Sequence, residues 1–486
     1  MIKRRASAYM TVYLALTMGV MITLCLALIE GVRLNTLQME AECISDLCMD
    51  SVMAEYHREL FRRYNILALD STYGSKFKGR GNIEGRLAWY LEENFSMGKK
   101  SGKLQLTGYL IRDLLGMQLS SVSIEDYSLL SDWDGAVFRK EAVKAIKDDL
   151  GIIALQDTLT WLKVEEEYHL DTIDIEAQKQ EADAQIAAYQ GREIEGKPGK
   201  LEFDNPTLFI ENTKKKGIMW LVLGDKSVSS KSFDPSRLIY QRSLSEQSNH
   251  GNIALDTQNV LQQSGEKLTF DEYLLSYFGN YLKSVEKSAL DYEVEYFLVG
   301  KNTDADNLHG VLLRLLAIRE AANATYLFSC KTKYDEAETV ATVLSALIGV
   351  PELKDPFTIT ILLGWAYVES LYDLKVLMNG GRVPLMKDDK TWHYGFTGVL
   401  EGIWESVINS DQKEGLTYQD YLRILLSLAN EKDVTGRAMN VVEANIRLTS
   451  GNQDFQMDAC YARFSARVLL HSGYGYNLEI KEDKAY

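Results

Sequence analysis

The feature that most constrains this chain is an uncharged, mainly apolar run from Ala6 to Ile29. As a helix, the run is about 36 Å long at 1.5 Å per residue, enough to cross a hydrocarbon core of about 30 Å. Lys3, Arg4 and Arg5 precede it, and positively charged residues stay on the cytoplasmic side of a membrane. We therefore predict a cytoplasmic basic tip over residues 1–5, a transmembrane helix over 6–29, and an extracytoplasmic remainder.

A cleaved secretory signal peptide is the alternative interpretation of this run. The apolar core of a signal peptide is usually about 7–15 residues long and ends in small residues. The best candidate cleavage site near the end of the run is Cys25-Leu26-Ala27, which is a poor match to the Ala-x-Ala-like site of a signal peptide. Lipoprotein processing requires a small residue before the cysteine, and Leu24 stands there. We favour an uncleaved anchor in the cell membrane.

Small or hydroxyl-bearing residues recur every four positions within the predicted span. Ala15, Gly19 and Thr23 lie at its centre. Such a stripe lets a second helix approach closely, as in small-xxx-small contacts. It predicts helix packing in the membrane, with a partner protein or with a second copy of the chain. Glu30 and Arg33 follow the run, and we place the membrane exit at these two residues.

The composition excludes several classes of protein. A chain of 486 residues is long enough for two or three packed units, and 46% apolar and 10% aromatic residues indicate a folded body. The net charge of −16 argues against a nucleic-acid partner, because phosphate binding requires a basic surface. Six prolines favour long helices. Five cysteines do not form a disulfide scaffold, so we expect mostly buried free thiols, and Cys330 and Cys460 pair only if the fold brings them together.

The apolar periodicity of the span continues beyond it. Apolar residues spaced three or four apart alternate with acidic ones, and the stripe consists of Leu34, Leu37, Ala41, Ile44, Cys48 and Val52. One long helix is therefore predicted to leave the membrane and to dock this stripe against the extracytoplasmic body. Gly31 is a position at which the helix can bend.

The rest of the first half predicts a strand, a helical arm and a linker. Alternation over Leu119–Ile124 predicts a strand, and Asp132–Gly135 predicts a turn that opens a helix. Phe138–Gln190 has helical periodicity with a highly charged second half, which predicts a protruding arm. Residues 191–252 are typical of a linker, and within them Ile218–Leu223 is a short strand or a short helix.

The second half is predicted to be mainly helical. Tyr292–Gly300 alternates and predicts a strand, after which Asp304 or Asp306 caps a helix. Two apolar stretches, Thr339–Val350 and Pro356–Met378, predict a buried helical hairpin. The second stretch carries charged residues, which argues against another membrane span.

Two further helices and a polar tail are predicted to close the chain. The helices lie near Tyr418–Asn430 and at Thr435–Thr449. The predicted fold class is α+β, predominantly α-helical, with a single N-terminal transmembrane helix that continues into a long helix. We divide the body into a membrane-proximal unit with the arm (30–190), the linker (191–252) and a second, mainly helical unit (253–486).

Residues that usually carry catalysis or bind metals form no recognisable site. The six histidines are scattered, and none belongs to a His-Glu-x-x-His motif. Gly191–Lys197 matches a phosphate loop until Pro198 takes the Ser/Thr position. Asn302-x-Asp304-x-Asp306 lacks the glycine and the terminal glutamate of a calcium loop. We predict no catalytic residue, cofactor or metal.

Two pairs of carboxylates are candidate acid–base groups, Glu293 with Glu295 and Glu369 with Asp373. Solvated faces and ion pairs with arginine are the more common roles of such pairs. We therefore expect solvated or structural carboxylates. The candidate partners are Arg314, Arg319 and Arg382.

Several segments together resemble one bacterial family. They are Tyr9–Tyr13 through Leu28–Arg33, Met49–Tyr56, Glu59–Tyr64, Leu290–Lys301, Arg319–Asn323, Trp365–Ser370, Gly380–Leu385 and Tyr418–Arg423. The resemblance is to an uncharacterised family of membrane-anchored proteins related to the TadE/TadG-like pseudopilins of the tight-adherence (Tad) pilus. It implies an extracytoplasmic role in pilus assembly or in a secretion-type envelope apparatus. The resemblance implies no activity, cofactor or catalytic residue.

The sequence departs from the pilin pattern at one point. A pilin-type processing site would lie between Ala6 and Ser7, and the fifth residue beyond it is Thr11, where such pilins usually carry a glutamate. The element Ile29–Arg33 is similar to the Ile-Glu-x-x-Arg end of TadE-like spans.

From these observations we expect a non-enzymatic envelope protein, a minor pseudopilin-like or assembly component of a tight-adherence apparatus. The expected partners are membrane lipid, other envelope or pilus-assembly proteins, and a second copy of the chain through the transmembrane helix. The alternative is a surface-exposed binding or sensor protein that engages another envelope protein through the arm. An envelope hydrolase is a third hypothesis and would require a clustered Glu/Asp/His pocket.

Overall fold

The computed structural model describes residues 2–100, 116–149, 175–193, 200–203, 205, 213–242, 260–395 and 414–486. The chain forms two compact units. Unit 1 comprises Met1–Val137, Glu246–Leu255 and Thr449–Tyr486, and unit 2 comprises Phe138–Ser245 and Asp256–Leu448. This division differs from the linear one drawn from the sequence, because a strand near the end of the chain pairs with strands from its first 130 residues.

Unit 1 combines three helices with an antiparallel sheet. Its elements are α1 (Ile2–Met53), α2 (Arg58–Tyr64), β1 (Leu69–Asp70), α3 (Arg80–Lys100), β2 (Met117–Leu129), β3 (Cys460–Ser472) and β4 (Asn477–Ala485). β3 is the central strand and pairs with the other three, with Leu69 opposite Tyr461, Ile124 opposite Ala466, and Ile480 opposite Val468. The strand predicted at Leu119–Ile124 is confirmed as part of β2.

The core of unit 1 lies where α1 and α3 pack with the sheet. α1 buries its predicted stripe from Leu37 to Val52, whereas Leu34 remains 36% exposed. The side chains that β3 contributes to this core include Phe464, Ala466, Val468 and Leu470. Burial of a Leu or Ile side chain is worth about 1.5–3 kcal/mol, so the stripe holds the second half of α1 against the unit. The predicted long helix is confirmed, and it continues through Gly31 without interruption.

The end of the chain is a β-hairpin, so the predicted polar tail is wrong. β3 and β4 pair from Arg463 opposite Ala485 to His471 opposite Asn477. Most residues of β4 are polar, and Ile480 is its only buried side chain. A strand with so little buried surface has no recognisable pattern by itself; its partner strand supplies the hydrogen bonds.

Unit 2 is built from helices. They are α4 (Asp132–Asp149, entering from unit 1), α5 (Ile175–Tyr189), α6 (Ile218–Leu223), α7 (Ile239–Arg242), α8 (Val260–Tyr277), α9 (Glu293–Val299), α10 (Asp304–Ser329), α11 (Lys331–Ile348), α12 (Lys354–Met378), α13 (Tyr418–Leu428) and α14 (Glu431–Arg447). The predicted turn at the start of α4 is confirmed, because Trp133, Asp134 and Gly135 have positive φ angles. The apolar piece Ile218–Leu223 is a helix. Together the two units confirm the predicted fold class, α+β with helices dominant.

α12 is the central helix of unit 2. It is buried along nearly its whole length and packs against α5, α6, α10 and α11. The predicted hairpin is confirmed as α11 and α12, which are joined by a single 3₁₀ turn at Pro351–Leu353. The two helices predicted near residue 418 and at Thr435 are confirmed as α13 and α14, and α14 begins earlier because Asn430 caps it.

Two predictions around residue 300 are wrong. Glu293–Val299 is the helix α9 and not a strand. Six consecutive residues of this helix, Glu293 to Leu298, are buried. The alternation of polar and apolar residues in this segment therefore does not separate an exposed face from a buried one, as it would in a half-buried strand. The cap of α10 is Thr303, whose hydroxyl accepts from the Asp306 amide, and not Asp304 or Asp306.

Some predicted features fall on parts of the chain outside the described residues. The middle of the predicted arm, 150–174, is one of them, and α4 and α5 lie on either side of it. Residues 194–199, which include most of the phosphate-loop-like Gly191–Lys197, are another.

Candidate functional site

The first half of α1 is an apolar helix that none of the described residues covers. Between Tyr9 and Ile29 the large apolar side chains expose 51–79% of their surface. Ala15, Gly19 and Thr23 lie on this stretch, and a Cβ atom added at Gly19 would have no neighbour within 4 Å. Lys3, Arg4 and Arg5 lie in the first turns of the same helix. The helix is long and apolar enough to cross a membrane and fits a membrane anchor.

Glu30 and Arg33 lie where α1 changes from exposed to buried. They form an ion pair with an N–O distance of 3.0 Å. The turn between β3 and β4 reaches the same level of the helix. The Tyr476 hydroxyl donates to Glu30, and the Arg33 guanidinium lies 4.4 Å from the ring centroid of Tyr474. The predicted membrane-exit residues are thus held by the C-terminal hairpin of unit 1.

A buried network of charged side chains lies at the centre of unit 2. Arg319 of α10 pairs with Asp373 of α12 at 2.9 Å, and both side chains are almost completely excluded from solvent. Lys387 approaches from the loop after α12 and pairs with Asp373 at 2.5 Å and with Glu369. Asn323 donates to Asp373 at 3.0 Å. Two cations and two anions therefore compensate one another in a dry environment.

The network holds the loop that follows α12. Arg319 donates to the carbonyl oxygens of Pro384 and Leu385 at 2.9 and 2.7 Å. Glu369 accepts from the backbone amides of His393 and Tyr394 at 2.8 and 2.9 Å. Each bond from a charged group is worth about 1.5–3 kcal/mol, so these contacts fix an otherwise irregular segment.

Aromatic side chains enclose the same loop. The Trp365 and Trp392 indoles both donate to the carbonyl of Tyr394, at 2.9 and 2.8 Å. The rings of Tyr372 and His393 are stacked with centroids 3.7 Å apart. The aromatic layer excludes water from the ion pairs, which strengthens them.

The electrostatics of the network keep its charges in place. Burial by itself would raise the pKa of Asp373, but Lys387 and Arg319 lower it below its ordinary value. Burial disfavours the charged form of Arg319, and the neighbouring Tyr421 and Asp373 outweigh it, so the pKa of Arg319 is raised. Both groups stay charged at neutral pH. A carboxylate held in this state by two cations is a poor general acid or base.

A second buried polar cluster surrounds α9. Glu293 accepts from the Gly279 amide at 2.8 Å and from the Asn445 side chain at 2.6 Å. Glu295 accepts from the Tyr281 amide at 2.8 Å and from the Tyr418 hydroxyl at 2.7 Å. The two carboxylates therefore join α9 to the turn after α8 and to α13 and α14.

Glu295 and Asp271 are two buried carboxylates of unit 2 whose pKa is strongly raised. One oxygen of each, Oε2 of Glu295 and Oδ2 of Asp271, has no hydrogen-bond partner among the described residues. Burial raises the pKa of Glu295 to about 7 and the pKa of Asp271 to about 8. We therefore expect the stability of unit 2 to depend on pH near neutrality.

The sequence identified part of the Arg319 network. The carboxylates of both candidate pairs are expected to be solvated or paired with arginine; all four are buried, so the solvated alternative is wrong. The Arg319–Asp373 pair confirms the structural alternative for Asp373, whereas Glu293 and Glu295 accept hydrogen bonds from amides and a tyrosine hydroxyl. The partner of Glu369 is instead Lys387, which the sequence analysis missed because it lies in a loop without periodicity. Arg314 and Arg382 bond to the carbonyl oxygens of Leu298 and Gly415. The sequence pattern also gives no signal for Tyr474 and Tyr476, because it predicts only a polar tail there.

The chemistry of these sites is that of structural contacts. Each of the four charged groups of the Arg319 network has an oppositely charged partner within the network. Among the residues that the structure describes, no group of three or more His, Cys, Asp or Glu side chains is placed to hold a metal ion. All five cysteines are free thiols: Cys48 and Cys460 are buried, Cys330 is half-buried, and Cys25 and Cys43 are exposed.

Comparison with known proteins identifies one family. Residues 197–472 match a family of unknown function (DUF5702). The match covers most of unit 2 and ends with β3, so the Arg319 network lies within it and the apolar half of α1 lies outside it. No curated protein and no solved structure matches the chain.

Proposed function

The chain belongs to this family, DUF5702, which has no assigned activity, and we propose from the chain's own residues that it is a membrane-anchored envelope protein that acts through protein contacts. In this proposal the N-terminus is cytoplasmic, α1 crosses the cell membrane once, and the bulk of the chain is extracytoplasmic. The protein is a minor pseudopilin-like or assembly component of a tight-adherence or secretion-type apparatus. It is not an enzyme.

The observation that carries the proposal is the division of α1 into two halves. The half from Leu37 onward is buried in unit 1, and the half from Tyr9 to Ile29 is exposed. Exposing a large apolar side chain to water costs about 1.5 kcal/mol or more, so the free half would cost on the order of 20 kcal/mol. Lipid, or the helices of other subunits, must cover it.

The charges around the span support the proposed orientation. Lys3, Arg4 and Arg5 form a basic cluster on one side of the span. On the other side, Arg33 is neutralised by its ion pair with Glu30. The excess of positive charge therefore lies on the N-terminal side, which the positive-inside rule assigns to the cytoplasm.

The role in an assembly rests on the resemblance to TadE/TadG-like proteins and on the exposed span. Ala15, Gly19 and Thr23 are small residues that lie exposed on α1 with respect to the described residues, as a helix-packing surface requires. In the proposed mechanism this stripe packs the span against another helix, and the extracytoplasmic body caps or scaffolds the structure.

Thiol labelling tests the proposed topology. Cys43, ten residues beyond Arg33 on α1, is exposed, whereas Cys48, five residues further along, is buried. In intact protoplasts, a membrane-impermeant maleimide is expected to label a Cys330→Ser variant at Cys43. The matched Cys43→Ser/Cys330→Ser variant is expected to remain unlabelled. Labelling of Cys43 only after lysis would place this segment in the cytoplasm and overturn the proposal.

Mechanical shearing of intact cells tests the assembly role. Protein that appears in the sheared fraction and sediments with filaments would support incorporation as a minor subunit. Retention wholly in the membrane fraction would favour a permanent anchor and would exclude the filament-subunit form of the proposal. Crosslinking then identifies whether the anchor has a partner inside the membrane, as the Gly19 stripe requires.

A further inference from the structure

The turn between β3 and β4 lies at the level of α1 where the apolar run ends. β3 carries the chain to Ser472, and Gly473–Tyr476 connects it to β4. This turn contacts Glu30 and Arg33, the first charged residues after the run. All of these residues belong to unit 1, so their relation is set by one compact body.

The contacts of this turn satisfy the charges at the end of the span. The Glu30 carboxylate pairs with Arg33 and accepts from the Tyr476 hydroxyl. The guanidinium of Arg33 also lies against the ring of Tyr474. A charged pair at the edge of a low-dielectric region is tolerated only when such partners are present. The turn thus supplies polar contacts at the depth where water becomes scarce.

The exposure of the two tyrosines suits a lipid–water boundary. Tyr474 is 43% exposed although its ring contacts Arg33, and Tyr476 is half-buried. Tyrosine combines an apolar ring with a polar hydroxyl and is enriched at both membrane interfaces. Arginine likewise places an apolar stem near the hydrocarbon and its head among polar groups.

The distance along α1 between Tyr13 and Arg33 agrees with a membrane boundary at the Tyr474–Tyr476 turn. Tyr13 is 70% exposed near the cytoplasmic end of the span. From Tyr13 to Arg33 the helix rises about 30 Å at 1.5 Å per residue, which equals the thickness of a hydrocarbon core. Tyrosines therefore occur at two levels separated by one bilayer thickness, one level on α1 and the other on the C-terminal hairpin.

We propose that the Tyr474–Tyr476 turn is a second membrane contact of unit 1, inserted into the headgroup region of the outer lipid surface beside the exit of α1. This proposal rests on the proposed anchoring by α1. Two contacts, the helix and the turn, fix both the depth of α1 and the orientation of the sheet above the bilayer. The partner is a lipid surface rather than a protein.

A depth-sensitive fluorophore tests the contact in the full-length protein. Cys25, Cys43 and Cys330 are replaced by serine, and a single new cysteine is introduced by Tyr474→Cys and labelled with NBD. The matched control is Phe77→Cys, because Phe77 is an 81% exposed aromatic residue near β1, which pairs with the opposite end of β3. β3 is 13 residues long, about 43 Å at 3.3 Å per residue, so the two labels lie far apart. Both proteins are reconstituted in phosphatidylcholine vesicles with or without doxyl-labelled lipid.

The expected result is that both proteins float with the vesicles and that doxyl lipid quenches the label at 474 several-fold more strongly than the label at 77. Flotation with equally weak quenching at both positions would overturn the membrane contact and leave the anchor intact. A shielded but unquenched label at 474 would show that protein covers the turn, which also overturns it. Failure to float would overturn the anchor and this contact together.

Discussion

The guanidinium of Arg319 and the carboxylate of Asp373 form an ion pair at 2.9 Å, with 0% and 1% of the two side chains exposed. The pair links α10 to α12, and through Lys387 and the Pro384 carbonyl it also holds the loop after α12. Removal of two charges from water is expensive, and the cost is recovered only when all partners remain.

Asp373→Ala is therefore expected to destabilise unit 2 by about 3–5 kcal/mol, because it leaves Arg319 and Lys387 buried without an anion between them. The matched control is Asp291→Ala, which removes one member of the exposed Lys231–Asp291 pair. An exposed pair is worth about 1 kcal/mol or less. Urea unfolding of the full-length protein in detergent, followed by tryptophan fluorescence, measures both. Equal losses of unfolding free energy in the two variants would show that the buried network stabilises unit 2 no more than an exposed ion pair does.

Stability is expected to fall as the pH rises through neutrality, and Glu295 is one cause. Burial raises its folded-state pKa from 4.5 to about 7, so the folded chain binds this proton more tightly than the unfolded chain. The contribution is complete below the unfolded pKa and is lost between pH 4.5 and 7. Asp271, with a pKa of about 8, acts in the same direction.

Glu295→Gln is expected to remove the Glu295 part of this dependence and to stabilise the protein at pH 8 by on the order of 3 kcal/mol. The comparison is the difference between wild type and variant in urea midpoint from pH 5 to pH 8. Glu336→Gln, at an exposed position of the same unit, serves as the control and should follow the wild type. A variant whose midpoint keeps the full wild-type pH slope would contradict this role of Glu295.

Gly19→Leu is expected to abolish helix-dependent assembly and to leave membrane insertion intact. A Cβ atom added at Gly19 has no neighbour within 4 Å in the described part of the chain, so we attribute the expected effect to a partner helix. Val20→Leu adds bulk about 100° around the same helix and is the control. Native gels of detergent-solubilised membranes report assembly, and carbonate extraction reports insertion. Unchanged assembly in the Gly19 variant would refute the packing stripe.

Gly415→Ala is expected to destabilise unit 2 by more than about 1 kcal/mol, because the residue has a φ of +116° and an added Cβ would lie 2.5 Å from backbone atoms of Val383 and Pro384. Gly265→Ala is the matched substitution inside α8, where an added Cβ meets nothing within 4 Å. It is expected to stabilise the helix by about 0.5–1 kcal/mol. Thermal unfolding of the two variants should therefore shift in opposite directions. If both variants shifted the unfolding temperature in the same direction, the close approach of the Gly415 backbone to Val383 and Pro384 would not be the reason that glycine is required at position 415.

The sequence predicted the features that depend on local periodicity. The long helix α1, its buried stripe from Leu37 to Val52, and the apolar hairpin of α11 and α12 follow from apolar residues that recur with the period of a helix. A short strand such as Leu119–Ile124 is also visible, because its alternation persists over several residues. These patterns are properties of neighbouring residues, so the chain reveals them before it folds.

Other predictions failed where the decisive partner is distant in sequence. The alternation at Glu293–Val299 suggested a strand, but burial of nearly every residue of α9 makes that pattern uninformative. β4 exists as a strand because β3 pairs with it, and β3 in turn pairs with β2, more than 330 residues earlier in the chain. Lys387 became the partner of Glu369 because the loop after α12 returns over that helix.

The order of apolar and polar residues is enough to predict an apolar helix long enough to span a bilayer and a mainly helical body. The folded structure was needed to show that the C-terminal hairpin belongs to unit 1 and that Tyr474 and Tyr476 lie beside Glu30 and Arg33. It was also needed to show that Arg319, Asp373 and Lys387 form one buried network. The physical reason is that these contacts join residues far apart in the chain, and their energy depends on a geometry that no local pattern encodes.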